Sequence, residues 1–176
     1  NSKIPIILMG YYNLILHFGI NNFVSNCVSS GVDGLIIVDL QPEEDEDLLT
    51  ELNKNNIALI RLITPTTDEK RLKLILKNAS GFLYFVSVMG TTGQKSADIN
   101  ELKKSIDFIK KHTDMPVIPG FGIKNSEDVN NVCKIADGAV VGSSIIKIIE
   151  ENLDDKQMIL SEIDKFSHDL KNGTKV

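Results

Sequence analysis

The sequence has no tryptophan, three histidines and two cysteines, so several kinds of site have few residues to be built from. Cys27 and Cys133 lie far apart and form no CxxC pair, which argues against a zinc site and against a disulfide framework; we expect buried thiols in a reducing compartment. His17, His112 and His168 have no partner at metal-ligand or catalytic-dyad spacing. We therefore expect no metal ion and no nucleophile paired with a histidine.

Long apolar runs and clustered positive charge are missing as well. No run approaches the roughly 18 to 20 apolar residues that a membrane helix needs, and no signal peptide is recognisable. The net charge is −5, and the lysines are interspersed with acidic residues, which favours solvated helix faces over a nucleic-acid partner. We expect a cytoplasmic protein that binds neither membranes nor nucleic acid.

What the chain has instead is a regular alternation of short apolar runs with longer amphipathic ones. The apolar runs predict strands at 5–9, 34–38, 58–62, 82–87, 116–120 and 138–142. Each run is almost continuously apolar, which is typical of parallel strands that are buried on both faces. The segments between them have helical spacing, and the acidic run Glu43 to Asp47 after Pro42 is interpreted as a solvated first helical turn. A surface that faces a partner protein is the alternative for this run.

The result is a single domain over residues 1–176 with six consecutive βα units. Two α/β architectures fit such repetition, an open doubly wound sheet and a (β/α)8 TIM barrel. The count and the length favour the open sheet, because a barrel has eight units and usually about 250 residues. The motifs that follow favour the barrel.

Two glycine-containing loops follow the last two predicted strands. Gly120-Phe121-Gly122 comes after the fifth, and Gly142-Ser143 ends the sixth and opens a helix. Glycine lets the backbone approach an anion, and the amides at a helix N-terminus bind it. Tight turns alone would explain each loop singly. Together, after the last two strands, they predict the phosphate site that recurs in barrel enzymes.

Acid–base groups at the predicted strand ends are few. Asp39 is the only carboxylate there, and Tyr84, inside a strand, is expected to have a structural role on sequence alone. The segment Val88 to Ser96 has two glycines and a threonine pair, which favours a mobile lid over an idle surface loop. The chain thus has a phosphate site and almost no groups for chemistry.

Five segments, in this order and at these separations, resemble the alpha chains of tryptophan synthase. They are LMGYYN at 8–13, GVDGLIIVDL at 31–40 with PEE at 42–44, YFVS at 84–87 leading to GTTG at 90–93, GFGI at 120–123, and DGAVVGS at 137–143. The resemblance runs from residue 4 to about residue 152. It implies a (β/α)8 barrel of which this chain holds six consecutive units, beginning at the third strand. It also implies a lyase of tryptophan biosynthesis, which cleaves indole-3-glycerol phosphate to indole and glyceraldehyde 3-phosphate.

The resemblance also implies residue roles. The phosphate would be held by Gly120, Phe121, Gly122, Gly142 and Ser143. The indole site would be lined by Tyr11, Ile36 and Val140, with Tyr84 as an auxiliary residue near the reacting carbons and Thr92 in the lid. Asp39, Gln41 and Pro42 would contact a beta chain in an α2β2 heterotetramer, and Gln41 departs from the Pro or Val usual in that loop. Pyridoxal phosphate is expected in the beta chain and no cofactor in this one.

The family's catalytic Glu and Asp would lie on units that precede this chain, so we expect the chain alone to release no indole. Two alternatives remain open: a non-catalytic, phosphate-binding regulator of a beta chain, and a different barrel enzyme acting on sugar phosphates. An incomplete barrel also has unpaired strand edges, so we expect the isolated chain to dimerise or aggregate.

Overall fold

The computed structural model describes residues 3–87 and 98–175, whose strands and helices alternate along the chain. The strands are β1 (Ile7–Gly10), β2 (Gly34–Ile37), β3 (Ala58–Ile63), β4 (Leu83–Val86) and β5 (Val117–Gly120). The helices are α1 (Tyr12–Phe18), α2 (Ile20–Ser30), α3 (Glu46–Lys54), α4 (Glu69–Lys77), α5 (Ile99–Lys110), α6 (Ser126–Cys133), α7 (Ser143–Glu151) and α8 (Lys156–Gly173). The chain divides into two compact units, Asn1–Tyr84 and Phe85–Val176, and the single domain stays a prediction.

The sheet of the first unit is parallel. Strand β2 pairs with β1 and β3, and the register aligns Met9, Ile36 and Ile60. All four residues of β2 are buried, as expected for a strand covered on both faces. Gly34 leaves little space there, because a Cβ would lie 2.8 Å from Ile60 Cδ1 and 2.9 Å from Ile7 Cδ1, so both isoleucine side chains would have to shift.

The helices of the first unit cover one face of this sheet. Leu35 and Ile37 of β2 belong to one buried apolar cluster with Val24 of α2 and with Leu48 and Leu52 of α3. Ile36 is buried but lies outside that cluster, because alternate strand residues point to opposite faces. Leu35 and Ile37 therefore mark the face of β2 that the helices cover.

The start of α3 differs from the sequence prediction. The helix begins at Glu46, whereas Pro42, Glu43 and Glu44 form a turn closed by a hydrogen bond from the Glu44 amide to the Gln41 carbonyl, at 3.0 Å. An acidic run is a good signal for a helix start, but here side-chain contacts from neighbouring elements select the turn.

In the second unit, the sixth predicted strand is reduced to a single bridge. Val140 bridges Gly120 in parallel, and the Val140 amide donates to the Pro119 carbonyl at 2.9 Å. The prediction of a full strand over 138–142 was therefore wrong. Its position beside β5 was correct, since the bridge places Val140 next to the end of that strand.

Helices α6 and α8 pack closely in the second unit. Gly173 is buried in the last turn of α8, and Asp169 accepts hydrogen bonds from the Ser126 hydroxyl at 3.0 Å and the Ser126 amide at 3.3 Å. This contact fixes the start of α6. Within the described residues, no helix is both long and apolar enough to cross a membrane.

Candidate functional site

The two predicted phosphate loops of the second unit start from the same edge. Gly120 ends β5, and its bridge partner Val140 lies two residues before Gly142. Because parallel chain segments that pair side by side leave the sheet in the same direction, the loops after Gly120 and after Val140 emerge together. The geometry agrees with the paired loops that the sequence predicted.

Side-chain hydrogen bonds tie these loops to each other and to β4. The Ser144 hydroxyl, in the first turn of α7, donates to the Ile123 carbonyl at 2.6 Å. The Ser87 hydroxyl, directly after β4, donates to the Gly120 carbonyl at 2.5 Å. Ile123 is itself buried, which anchors the end of its loop. The sequence analysis gave neither serine a role, although Ser87 is the last residue of the YFVS segment and Ser144 directly follows the DGAVVGS segment.

The start of α7 is suited to an anion. Its N-cap residue is Gly142, without a side-chain capping bond, and the first turn has no acidic residue. Gly142 and Ser143 are exposed, and Gly122 has a φ of 68°, a conformation that favours glycine. Backbone amides at such a helix start carry partial positive charge, which favours an anion over a cation at this position.

The residues predicted to line an indole site lie at different depths. Tyr11 precedes α1 and is 56% exposed, whereas Ile36 in β2 is buried. Tyr84 in β4 and Val140 are half-buried, and in β4 it is the neighbouring Leu83 and Phe85 that are buried. Phe121 is half-buried in its loop. Thr92 and the predicted lid around it lie outside the described residues.

Asp39 is exposed and holds the start of α1. One of its carboxylate oxygens accepts a hydrogen bond of 2.7 Å from the Tyr12 amide, the first amide of that helix. Tyr11, the N-cap residue, makes no side-chain capping bond, so Asp39 supplies the acceptor and the negative charge that a helix start favours. Gln41 is exposed and Pro42 half-buried in the turn that follows.

The interpretation of Glu43 to Asp47 as a solvated turn was wrong for Asp45. Asp45 is 2% exposed, precedes α3 as its N-cap residue, and forms an ion pair with Arg61, which is 5% exposed in β3. Arg61 also donates to the Leu40 carbonyl at 3.4 Å, and Asn78 donates to Asp45 at 3.4 Å. A charged residue within the apolar run of β3 was the available signal for a buried partner.

Glu43, the first residue of this run, contacts a second arginine. Arg71 of α4 donates to the Glu43 carboxylate and to the Gln41 side-chain oxygen. The hydrogen bond from Arg71 lowers the pKa of Glu43. Burial, and then the positive charge of Arg71, lowers the pKa of Arg61 to about 10. The residues between β2 and α3 are thus held from two elements of the first unit.

The first unit also contains an apolar cavity of about 320 Å³. It is lined mainly by Leu8, Leu14, Phe18 and Phe23, with the buried Cys27 at its wall. Cys133, also expected to be buried, is only half-buried. Within the described ranges, no three His, Cys, Asp or Glu side chains are grouped as a metal site would need.

Comparison with known proteins decides the family. The family described as tryptophan synthase alpha chain matches residues 1–175. A tryptophan synthase alpha chain from Petrotoga mobilis is 45% identical over 167 residues, covering 95% of this chain and 65% of the relative. The chain belongs to the tryptophan synthase alpha chain family.

Solved structures agree with this assignment. The alpha subunit from Legionella pneumophila superimposes with a TM-score of 0.88 at 33% identity, covering 99% of this chain and 64% of that one. A chain in a structure on mutual activation of the tryptophan synthase a2b2 complex from Pyrococcus furiosus gives a TM-score of 0.83 at 32% identity, covering 98% of this chain and 68% of that one. The chain thus spans about two thirds of the length of these tryptophan synthase relatives.

Family membership confirms the α/β class and the TIM-barrel fold that the resemblance implied. It also excludes the reading as an unrelated sugar-phosphate barrel, which the sequence had left open. The individual site residues are tested by none of these comparisons, and their roles remain predictions.

Proposed function

We propose that this chain provides the phosphate-binding and partner-binding parts of a tryptophan synthase alpha subunit. The substrate would be indole-3-glycerol phosphate, cleaved to indole and glyceraldehyde 3-phosphate. The observation that carries the proposal is the junction in the second unit, where the Ser144 hydroxyl joins the start of α7 to the loop after Gly120. Membership of the tryptophan synthase alpha chain family supports indole-3-glycerol phosphate as the phosphate ester.

The phosphate would be held mainly by backbone amides. Gly120 to Gly122 and the exposed Gly142 and Ser143 provide close approach, and the helix dipole of α7 stabilises the negative charge. Phe121 would lie with these residues at the phosphate, Tyr11, Ile36 and Val140 would line the indole site, and Tyr84 would lie near the reacting carbons. Each of these roles follows from the family resemblance.

Adding a charge at the start of α7 tests the phosphate site. Ser143→Asp is expected to leave the fold intact, because an acidic residue in a first turn favours the helix, and to weaken binding at least about tenfold through repulsion. Calorimetric titration with glyceraldehyde 3-phosphate and with indole-3-glycerol phosphate measures both affinities. Gln157→Asp in the first turn of α8 is the matched control. Equal losses of affinity in both variants would contradict the phosphate site at the start of α7.

The chemical step is proposed to need groups that this chain does not supply. The reaction is a retro-aldol cleavage, in which an acid protonates indole C3 while a base takes the glycerol hydroxyl proton. Asp39, the predicted carboxylate at a strand end, caps α1 in the structure. The chain alone is therefore expected to release no indole, and indole release that is abolished by Asp39→Asn would contradict this.

The second candidate is a non-catalytic regulator of a beta chain. The same scarcity of carboxylates at the strand ends favours it, together with the exposed Asp39 and Gln41. Adding this chain to a tryptophan synthase beta chain and measuring beta activity separates the two. Activation of the beta chain without indole release supports the regulator. If this chain neither activates nor binds the beta chain, both partner proposals are contradicted.

A further inference from the structure

The two arginines of the chain contact the same short segment. The sequence has Arg61 and Arg71 among nineteen basic residues, and all the others are lysines. Arg61 comes from β3 and Arg71 from α4, and both contact residues in the range 40–45 between β2 and α3. Arginine presents several donors in a rigid plane, so each side chain can fix more than one acceptor.

Arg61 holds the two ends of this segment from the inside. It donates to the Leu40 carbonyl at one end and pairs with the Asp45 carboxylate at the other. Leu40 is itself buried, so the first anchor is protected from water. Arg61 Nε is buried and has no hydrogen-bond acceptor among the described residues.

The loss of hydration on burying Arg61 and Asp45 argues that the pair has a role beyond stability. A buried ion pair is often no more stabilising than apolar side chains of similar volume, because both charges lose their hydration. What a directional pair adds is a defined position for the groups that it joins. Here the joined groups lie at the two ends of an irregular segment. Without the pair, little would hold the backbone of that segment in one conformation.

Arg71 holds the middle of the segment from the outside. Its two terminal nitrogens donate to Gln41 and to Glu43, and the Glu44 amide closes the turn onto the Gln41 carbonyl. Asp39 and Glu44 are left exposed on either side of these contacts. The segment therefore presents a fixed set of groups to solvent.

We propose that Arg61 and Arg71 are positioning residues, which hold the segment 40–45 in one conformation and thereby present Asp39, Pro42 and Glu44 to the beta chain. This inference rests on the proposed partner-binding function. A preformed segment binds more tightly, because less conformational freedom is lost on association.

Replacement of the buried pair separates positioning from stability. The double variant Asp45→Leu/Arg61→Met removes both charges together and is expected to unfold at the same or higher denaturant concentration than the unchanged chain. Its affinity for a tryptophan synthase beta chain, measured by titration, is expected to fall at least about tenfold as the segment loses its directional anchors. Unchanged affinity in a stable double variant would overturn the proposal.

Arg71 offers a graded version of the same test. Lysine at this position can reach only one of the two acceptors at a time, so Arg71→Lys is expected to retain part of the affinity that Arg71→Met loses. Lys73→Met is the matched control, because Lys73 lies on the same helix and pairs with Glu69 instead. Equal losses from Arg71→Met and Lys73→Met would overturn the role of Arg71.

A readout without the partner distinguishes failure of this inference from failure of the proposed function. The amides of Leu40 and Glu44 close the turns of the segment. In the double variant their hydrogen exchange is expected to accelerate at least about tenfold, while the amides of β2 and β3 stay protected. Unchanged exchange would refute the positioning role. Accelerated exchange in a chain that binds no beta chain would refute the proposed partner instead.

Discussion

Arg61 occupies a strand position whose neighbours along the chain, Ile60 and Leu62, are apolar. Its side chain is on the helix-facing side of β3, since Leu59, two residues earlier, belongs to the cluster under the helices. A charge at this depth needs a partner, and Asp45 provides it from the start of α3. The pair therefore constrains where α3 can begin.

Removing one partner of this pair should be far more harmful than removing both. Asp45→Ala leaves the Arg61 guanidinium buried without its counter-charge, so we expect the free energy of unfolding to fall by about 3–5 kcal/mol. Urea unfolding followed by circular dichroism measures the change. Asp47→Ala removes an exposed carboxylate from the first turn of the same helix and should cost only about 0.3–1 kcal/mol. Similar losses in both variants would show that Asp45 is not the counter-charge.

Asp137 makes a smaller, pH-dependent contribution to the free energy of unfolding, through contacts in the second unit. Its carboxylate accepts hydrogen bonds from Lys110 at 2.7 Å and from the Val117 amide at 2.8 Å. Burial tends to raise the pKa of Asp137, but these hydrogen bonds outweigh it and hold that pKa below the ordinary 3.8. The unfolded chain therefore binds the proton first as the pH falls.

The stabilisation by Asp137 is thus complete above pH 3.8 and is lost as the pH falls through the lower pKa of the folded chain. Asp137→Asn is expected to lower the free energy of unfolding by about 1 kcal/mol at neutral pH, since solvent screens a side chain that is over one third exposed. Unfolding curves at several pH values should converge for the two chains below pH 3.8. The exposed Asp154→Asn serves as the control, and a constant difference at all pH values would contradict the linkage.

At the scale of elements, side-chain caps account for four helix starts. Asp68, Asp98, Asn125 and Asp155 each accept a hydrogen bond from an amide in the first turn of their helix. Such starts are readable because the cap and the amide are neighbours in the sequence. The start of α3 was misread, because contacts with Arg61 and Arg71, distant in sequence, determine it.

The candidate site shows the same division between local and distant causes. The glycine loops after β5 and before α7 were predictable, because their residue types serve backbone conformations within a few positions. The hydrogen bond from Ser87 joins residues 33 positions apart, and the one from Ser144 joins residues 21 positions apart. Neither bond was predictable from the local sequence. The prediction of a full sixth strand failed for a related reason. Apolar composition indicates a preference for avoiding water, but it does not specify the register in which the segment pairs with Gly120.

Gly173 provides a prediction at this scale, since it sets the distance between α8 and α6. A Cβ at this position would lie 2.2 Å from the Ser126 carbonyl oxygen and 2.9 Å from Val129 Cβ. Because backbone atoms cannot move aside locally, Gly173→Ala should force the helices apart and cost about 1–3 kcal/mol. Thermal unfolding measures the loss. The exposed Lys171→Ala, two residues earlier, should leave the melting temperature nearly unchanged, and a neutral Gly173→Ala would contradict the close contact.

At the scale of the whole molecule, each unit exposes large apolar side chains. In the first unit they include Met9, 59% exposed in β1, and Leu14, 65% exposed in α1. In the second unit they include Ile146 of α7, Leu153, and Leu160 of α8. Strand β1 pairs with β2 on one side, and no strand of the described ranges pairs with its other side. Exposed apolar patches and open strand edges both favour association.

We therefore expect the isolated chain of 176 residues to self-associate, and we expect the first unit to contribute. Met9→Lys and Leu14→Lys place charges beside the open edge and on the apolar face of α1, so together they should shift sedimentation toward the monomer. Thr50→Lys adds the same charge to a polar, exposed position of α3 and should leave the sedimentation unchanged. If only Leu153→Lys produced the shift, association would run through the second unit instead. A monodisperse monomer that melts sharply would contradict the premise, since the exposed leucines and methionine would then be tolerated by a stable monomer.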